Sequence, residues 1–146
     1  MSRMIFINLP VADLGRSKSF YEAIGARNEP KFSNEAAAMM QFSDSIAVML
    51  LTHDFYRTFT GKEIADAHRT SQALLCISCD SPGAVDSMVD AAAGAGGKAD
   101  PGPKQEMGGM MYGRSFEDPD GHHLEPMWMA PAAAEQGASA LEPAEG

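Results

Sequence analysis

The most constraining feature of this sequence is one pattern of elements that occurs in both of its halves. Each half reads as a short apolar strand, an amphipathic helix and further strands, and the second copy follows the first by about seventy residues. Val11-Ala12-Asp13 corresponds to Cys79-Asp80-Ser81, and Gly25-Ala26 corresponds to Gly96-Gly97. The identity between the halves is low, so the repeat is one of pattern. A duplicated α+β unit is predicted.

The helix of the first half has clear end signals. Asp13 is a favourable N-cap, residues such as Phe20 and Tyr21 recur at helical spacing, and Gly25 ends the run. A helix from about Asp13 to Ile24 is therefore expected. The strands predicted around it are Met4–Leu9, Ala38–Phe42 and Ile46–Leu51.

The second half repeats this order. Ala73–Cys79 has the composition of a strand, Ser81 caps a helix that has Pro82 in its first turn, and Gly94-Ala95-Gly96-Gly97 ends that helix. A short strand near Lys98 follows. The next segment, 100–109, is rich in Pro and Gly and is predicted to be a loop.

A hairpin closes the second half. Asp118-Pro119-Asp120-Gly121 has proline, aspartate and glycine where a tight turn needs them, and strands at about 112–117 and 122–129 flank it. Alternation along the second strand puts His123, Glu125 and Met127 on one face, and Leu124 and Trp128 on the other.

These elements imply one domain over 1–130, with modules at about 1–53 and 71–130. The segment at about 54–70 contains Phe55, Phe59, Ile64 and polar helix formers, and we expect it to be a connecting helix. Residues 131–146 are almost entirely Ala, Glu, Gly, Pro, Ser and Gln, so a disordered tail is expected there.

Charge and composition restrict the partners and the compartment. Eleven basic and twenty acidic residues give 11 − 20 = −9, which disfavours binding to nucleic acid. There is no run of about eighteen apolar residues, so no membrane partner is expected and a cytoplasmic location is predicted. Cys76 and Cys79 would face opposite sides of a strand, and we expect two small buried thiols in a reducing compartment.

Two motifs together resemble those of a known family. The Asp118-Pro119-Asp120-Gly121 turn with Glu125 four residues later, and Asn8–Leu14 followed by Ser19-Phe20-Tyr21, are similar to signatures of the vicinal oxygen chelate superfamily. That superfamily includes glyoxalases, extradiol dioxygenases and bleomycin-resistance proteins. The resemblance implies an α+β fold of two βαβββ modules that form a half-open barrel with a central cavity. It also implies a homodimer.

In that family each of four strands supplies one ligand to a metal ion. Carried over position by position, the resemblance puts Phe6, Leu50 and Leu74 at three ligand positions, and only Glu125 matches. Phenylalanine and leucine have no donor atom for a divalent ion. We therefore predict a degraded metal site, no metal cofactor, and an apolar pocket lined by Phe6, Leu50 and Leu74.

Further residues are candidates for contact with a ligand. Glu125 is either a general base or anchor for a cationic or hydroxyl-bearing ligand, or a structural remnant, and His123 is the second polar group beside it. Arg114 either holds a carboxylate or phosphate or pairs with Glu117 or Asp118. The predicted ligand contacts are completed by Asn8 in the first strand and Met127 in the last.

Two functions remain open at this point. The first is binding of a small apolar or cationic molecule, as in bleomycin-resistance proteins, without chemistry. The second is an enzyme of the glyoxalase type, a lyase, isomerase or dioxygenase. That enzyme would use a divalent metal held by other residues, or act without a metal through Glu125 and His123.

Overall fold

The computed structural model describes residues 3–137, and its first half forms a four-stranded sheet with one helix. The sheet has the order β1-β4-β3-β2, in which β1 runs parallel to β4 and the other neighbours are antiparallel. The predicted helix and three predicted strands are confirmed, and β2 is an additional strand. The elements are β1 (Ile5–Val11), α1 (Leu14–Ala23), β2 (Arg27–Glu29), a 3-10 turn (Pro30–Phe32), β3 (Ala37–Gln41) and β4 (Ile46–Thr52).

The second half forms a sheet around its last strand. The short helix α2 (His53–Tyr56) comes before this half in the chain. The elements of the second half are β5 (Leu74–Ser78), α3 (Pro82–Gly94), β6 (Lys98–Ala99), β7 (Gln105–Met107), β8 (Met111–Gly113), β9 (Phe116–Glu117) and β10 (His123–Met129). β10 pairs in parallel with β5 and antiparallel with β8 and β9, which pair with β7 and β6. If β6–β7 and β8–β9 are counted as two interrupted strands, the order is the same as in the first sheet. The duplicated unit is therefore confirmed.

One hydrophobic core joins the two halves. Phe20 of α1 contacts Phe116 of β9 with ring centroids 6.0 Å apart, and both side chains are fully buried. Val89 of α3 and Leu50 of β4 belong to the same cluster of buried residues. Because α1 packs against residues of the second half, the modules form a single domain rather than two independent ones.

The predicted turn at residues 118–121 is present. The backbone N–H of Gly121 donates to the carbonyl of Asp118 at 2.9 Å, and Gly121 has a φ of +88°. The Asp118 carboxylate accepts the backbone N–H groups of Asp120 and His122, each at 2.9 Å, so the side chain holds its own turn. This segment is called the Asp118–Gly121 turn below.

The prediction of a connecting helix is wrong for most of its length. Only His53–Tyr56 is helical, and turns follow it. The reason lies at Thr58, whose hydroxyl and backbone N–H both donate to the carbonyl of Phe55. A threonine side chain that bonds to the preceding turn competes with helical hydrogen bonds, and Gly61 follows shortly after it.

Two further predictions need correction. The segment predicted as a loop at 100–109 contains β7, because the backbone of residues 105–107 pairs with β8. The first part of the tail predicted to be disordered is a helix, α4 (Pro131–Gln136), in which Ala133 is buried. The remainder of that prediction, from residue 138, lies outside the described residues. Among residues 3–137, every helix is too short or too polar to span a bilayer.

Candidate functional site

His123, Glu125 and Met127 lie on one face of the last strand, β10, as predicted, and their side chains are partly exposed. The parallel register pairs His123 with Leu74 and Glu125 with Cys76, so these four side chains share one face of the sheet. Leu124, between the two polar residues, points the other way into the core and is buried. The alternation predicted for this strand is therefore confirmed. We call the face formed by Leu74, Cys76, Ser78, His123, Glu125 and Met127 the Glu125 face.

His123 and Glu125 form a hydrogen-bonded pair on this face. Nε2 of His123 lies 3.0 Å from Oε1 of Glu125, and the side chains are 20% and 34% exposed. The second carboxylate oxygen of Glu125 has no protein partner among residues 3–137. One oxygen is therefore held by the imidazole while the other is available to a ligand.

Cys76 stands beside Glu125 as a third polar group. It is exposed, so the prediction that both cysteines are buried is wrong for Cys76, although Cys79 is half-buried and both are free thiols. Partial desolvation, and next the negative charge of Glu125, raise the pKa of the Cys76 thiol. Cys76 therefore remains a neutral thiol at pH 7 and is not set up as a nucleophile.

In the first sheet, Phe6 and Asn8 of β1 lie on the face opposite α1. Phe6 is 49% exposed, and Asn8 is exposed as well. The intervening residue Ile7 packs against the core, as alternation requires. In the second sheet Leu74 is 58% exposed. Phe6 and Leu74 thus face solvent, each on its own sheet.

The predicted place of Leu50 is wrong. Leu50 is fully buried in the core that α1 covers, so it lines no pocket with Phe6 and Leu74. In the register of β1 with β4, Phe6 pairs with Ala47 and Asn8 with Met49, which places those residues on the Phe6 face. A shift of one residue in a strand moves a side chain to the other face. The residues on the correct face are no better metal donors.

Arg114 lies away from the Glu125 face. Its guanidinium bonds to Asp86 of α3 at 2.9 Å and to Asp100 at 2.7 Å, and not to Glu117 or Asp118 as predicted. These bonds hold the pKa of Arg114 above its usual value, and they hold the pKa of Asp100 below its own. The hydroxyl of Tyr112 donates to Asp86 at 2.6 Å, and this bond, followed by the one from Arg114, lowers the pKa of Asp86. The arrangement fastens α3 to the sheet, and it places the ligand contact predicted at Arg114 away from the Glu125 face.

A polar junction between the halves was missed in the sequence. The buried hydroxyl of Tyr21 donates to Oδ2 of Asp118 at 2.8 Å, and burial raises the pKa of both groups. Asp120 accepts the backbone N–H of Ala12 at 2.8 Å and the hydroxyl of Ser17 at 3.2 Å. Ser17 could have indicated this junction in the sequence, because a buried hydroxyl in the apolar stripe of a helix needs a hydrogen-bond partner.

His122 completes this junction. Its Nε2 lies 2.8 Å from the carbonyl oxygen of Pro10, and since a carbonyl only accepts, Nε2 carries the proton. Three side chains therefore fix the turn to the first half: Asp118 and Asp120 within it and His122 directly after it. Its role is to position β10, which carries Glu125.

Neither the residues beside Glu125 nor those at the other predicted ligand positions fit a divalent metal ion. Phe6, Leu74 and the β4 residues on the Phe6 face have no donor suited to such an ion, and Asn8 offers only an amide. Nowhere in residues 3–137 do three or more His, Cys, Asp or Glu side chains converge in a way that could hold a metal ion. Within one chain, the Glu125 face offers an acid and an imidazole joined to each other, with the neutral thiol of Cys76 beside them.

Solved structures share this fold. A hypothetical protein from S. aureus has 23% identity and a TM-score of 0.72, with 88% of this chain and 94% of that chain covered. A glyoxalase/bleomycin resistance protein/dioxygenase family enzyme from Burkholderia phytofirmans PsJN has 16% identity and a TM-score of 0.72, with 88% and 100% covered. A glyoxalase-related enzyme from Fulvimarina pelagi has 20% identity and a TM-score of 0.71, with 88% of each chain covered. At these identities the likeness establishes the fold alone.

The family is established by a sequence match. No curated protein matches the chain. The model of one family, described as the Glyoxalase/Bleomycin resistance protein/Dioxygenase superfamily, matches residues 3–125, which include the first βαβββ unit and the second as far as Glu125 in β10. The chain therefore belongs to the glyoxalase/bleomycin resistance protein/dioxygenase superfamily.

Proposed function

We propose that the protein binds a small apolar or cationic molecule on the Glu125 face, and that it does so without a metal ion. The observation that carries this proposal is the His123–Glu125 pair, which is partly exposed and has Leu74 and Met127 beside it on the same sheet face. A carboxylate with one free oxygen is a suitable anchor for a ligand cation or hydroxyl group. The flanking Leu74 and Met127 supply apolar contact area.

The charge of the chain supports a cationic ligand. The formal net charge is −9, which raises the local concentration of small cations and disfavours anions. At the Glu125 face the nearest charged group to the ligand would be Glu125 itself, since Arg114 is engaged with Asp86 and Asp100. A ligand with one positive group and an apolar body matches both the charge and the surroundings.

The donor atoms on this face argue against a metal cofactor. Glu125, His123 and Cys76 do not converge on one point among residues 3–137, the thiol of Cys76 is protonated, and the carboxylate and imidazole are bonded to each other. The degraded metal site is thus part of the same proposal. Binding by shape, apolar contact and one carboxylate needs none of the missing ligands.

We propose further that the protein is a homodimer. In the part of the chain that the structure describes, β1 and β5 are each paired on one side only, and the exposed apolar residues Met4, Ile5, Phe6 and Leu74 lie on them or next to them. An unpaired strand edge beside exposed apolar side chains favours association. We propose a second copy as the occupant, because a two-fold pair would cover the same apolar edges on both copies at once.

A catalytic function is the second candidate, and the 3.0 Å contact of His123 with Glu125 favours it. A carboxylate and an imidazole in hydrogen-bond contact can take a proton from one atom of a bound substrate and return it to another. That is the chemistry of a lyase or isomerase, and it requires no metal. Turnover of a carbonyl substrate that is lost in both Glu125→Gln and His123→Gln would support this candidate.

A thermal-shift experiment tests the binding proposal. The probe is benzyltrimethylammonium, its neutral comparison is benzyl alcohol, and the variants are Glu125→Gln and, as a matched control, the exposed Glu106→Gln. We expect the cation to raise the Tm of the wild type and of Glu106→Gln, but not that of Glu125→Gln. A shift that is equal in all three proteins, or absent from all, would overturn the proposal.

A further inference from the structure

A separate cleft of about 580 Å³ lies at the junction between the halves. Its walls are the end of β1, the start of α1, the chain from His53 to His68 and the Asp118–Gly121 turn. None of the residues of the Glu125 face lines it. It is therefore a second site, and its volume lies in the range of small-molecule pockets.

The floor of the cleft is apolar. Pro10 and Ala12 come from the first half, Ile64, Ala65 and Ala67 from the connecting segment, and Pro119 from the turn. The connecting segment is held against the turn closely, because a Cβ on Gly121 would lie 2.7 Å from the backbone N of His68. The shape of the cleft is therefore fixed by packing between the segments that form it.

The charged side chains around this floor retain free hydrogen-bonding capacity. Among the described residues, Arg16 makes only a 3.7 Å ion pair with Asp120, and Arg57 bonds only to Asp54, which is fully exposed. In residues 3–137 the rings of His53 and His68 have no partner, and neither does the carboxylate of Glu63. The cleft thus offers several free donors and one free carboxylate.

Among residues 3–137, Glu63 stays unpaired in the cleft, whereas Asp120 lies 3.7 Å from Arg16. Glu63 forms no ion pair with Arg16 or Arg57 within the described part of the chain. The other two acids are engaged, because Asp120 accepts Ala12 N–H and the Ser17 hydroxyl, and Asp66 accepts the backbone N–H of His68. Separated charges of opposite sign over an apolar floor are complementary to a molecule that carries both signs.

We propose that this cleft binds a free amino acid with an apolar side chain. The ligand carboxylate would accept hydrogen bonds from the free N–H groups of Arg57 and Arg16. The imidazoles of His53 and His68 would be further donors. Its ammonium group would face Glu63, and its side chain would lie on the floor near Ile64. A plain carboxylic acid would leave Glu63 opposed to it, and a plain amine would leave the arginines unused.

Calorimetry on the full chain tests this assignment with L-phenylalanine as the probe. Two analogues remove one charge each: 3-phenylpropionate lacks the ammonium group, and phenylalaninamide lacks the carboxylate. We expect L-phenylalanine to bind, and each analogue to bind about tenfold more weakly, because each loses one charged hydrogen bond. Equal binding of all three, or no heat from L-phenylalanine at millimolar concentration, would overturn the proposal.

Variants locate the binding. Arg57→Gln and Glu63→Gln replace exposed side chains, and each should weaken L-phenylalanine about tenfold. Arg69→Gln, on the same segment but outside the cleft, should leave the affinity unchanged. Glu125→Gln should also leave it unchanged, since Glu125 lies on the other face. Loss of L-phenylalanine binding in Glu125→Gln, or its persistence in both cleft variants, would contradict the proposal and would leave the proposed function of the Glu125 face to its own test.

Discussion

The hydroxyl of Tyr21 on α1 donates a 2.8 Å hydrogen bond to the carboxylate of Asp118, 97 residues further along the chain, and Tyr21 is fully buried. This bond connects the first helix with the turn that begins β10. Through it the first half helps to determine where Glu125 lies. The two modules are therefore joined by a specific polar contact as well as by shared apolar packing.

Tyr21→Phe should lower the free energy of unfolding by about 2 kcal/mol, because the variant removes a buried hydrogen bond to a carboxylate. Urea denaturation at pH 7 measures this. Tyr112→Phe is the matched control, since its hydroxyl also bonds to a carboxylate, that of Asp86, but at a half-exposed position. It should cost less. An equal cost for the two variants would show that burial of the Tyr21–Asp118 bond is not what matters.

Asp118 should give the stability a specific dependence on pH. Burial raises the pKa of Asp118 in the folded protein above its ordinary value of 3.8. This contribution to stability is therefore complete below that value and is lost as the pH rises through the folded pKa. Asp118→Asn does not titrate, so the free energy of unfolding of the wild type minus that of the variant should fall as the pH rises. Urea unfolding of both proteins between about pH 3 and pH 7 tests this, and a difference that increases with pH would contradict it.

The ion pairs of Arg114 should act in the opposite sense. The pKa of Asp86 is lowered first by the Tyr112 hydroxyl and then by Arg114, and the pKa of Asp100 is lowered by Arg114, so the contribution of the ion pairs is present above 3.8 and is lost as the pH falls through the lowered values. Arg114→Gln should therefore cost stability at pH 7 and cost progressively less in acid. Because both carboxylates are half-exposed, added salt should also reduce the cost. A cost that is independent of both pH and salt would mean that the packing of the Arg114 side chain dominates.

Replacing two glycines at the end of α3 by alanine should change the stability in opposite directions. A Cβ on Gly97 would collide with the backbone carbonyl of Glu117 and would lie 2.7 Å from the ring of Phe20, whereas nothing lies within 4 Å of a Cβ on Gly94. Gly97→Ala should destabilise the protein by about 1–3 kcal/mol through overpacking. Gly94→Ala should stabilise it by about 0.5–1 kcal/mol, since alanine favours the helix. Thermal unfolding of the pair checks both signs, and stabilisation by Gly97→Ala would show that the helix end moves freely.

Leu50 lies in the core and Phe6 on the open sheet face, so truncating them should have different effects. Leu50→Ala should cost about 3 kcal/mol, because it leaves a cavity beneath α1. Phe6 is half-exposed, so Phe6→Ala should cost about 0.5 kcal/mol or less in the chain itself. Its effect should instead be a weaker dimer, measured by sedimentation over a range of protein concentrations. A dimer unchanged by Phe6→Ala would place the contact between copies elsewhere.

Local pattern was enough to predict much of the architecture. Asp13 and Ser81 cap the two long helices as expected, and alternation put His123 and Glu125 together because turn chemistry fixed the start of that strand. Leu50 was misplaced because it lies in the continuous apolar run Val48-Met49-Leu50-Leu51, which has no alternation to fix the face. Where both faces of a strand are apolar, only the tertiary structure decides which side a residue takes.

The contacts of Arg114, Tyr21 and Asp120 could not be predicted from the sequence, for a different reason. Arg114 had closer acidic neighbours in Glu117 and Asp118, yet it pairs with Asp86 and Asp100, which α3 and the following loop bring to it. Tyr21 and Asp118 meet only because α1 packs against the second half. Such pairings depend on the docking of the two modules, which no local pattern specifies.

The central claim is that apolar residues on the open sheet faces stand where a metal centre would need donors, and that Glu125 serves a ligand rather than a metal. Calorimetric titration of chelator-treated protein with nickel and with zinc tests it most directly, with Glu125→Gln measured alongside. We predict no stoichiometric site with sub-micromolar affinity for either ion, and the same weak heats from both proteins. A stoichiometric sub-micromolar site that is present in the wild type and lost in Glu125→Gln would contradict the account.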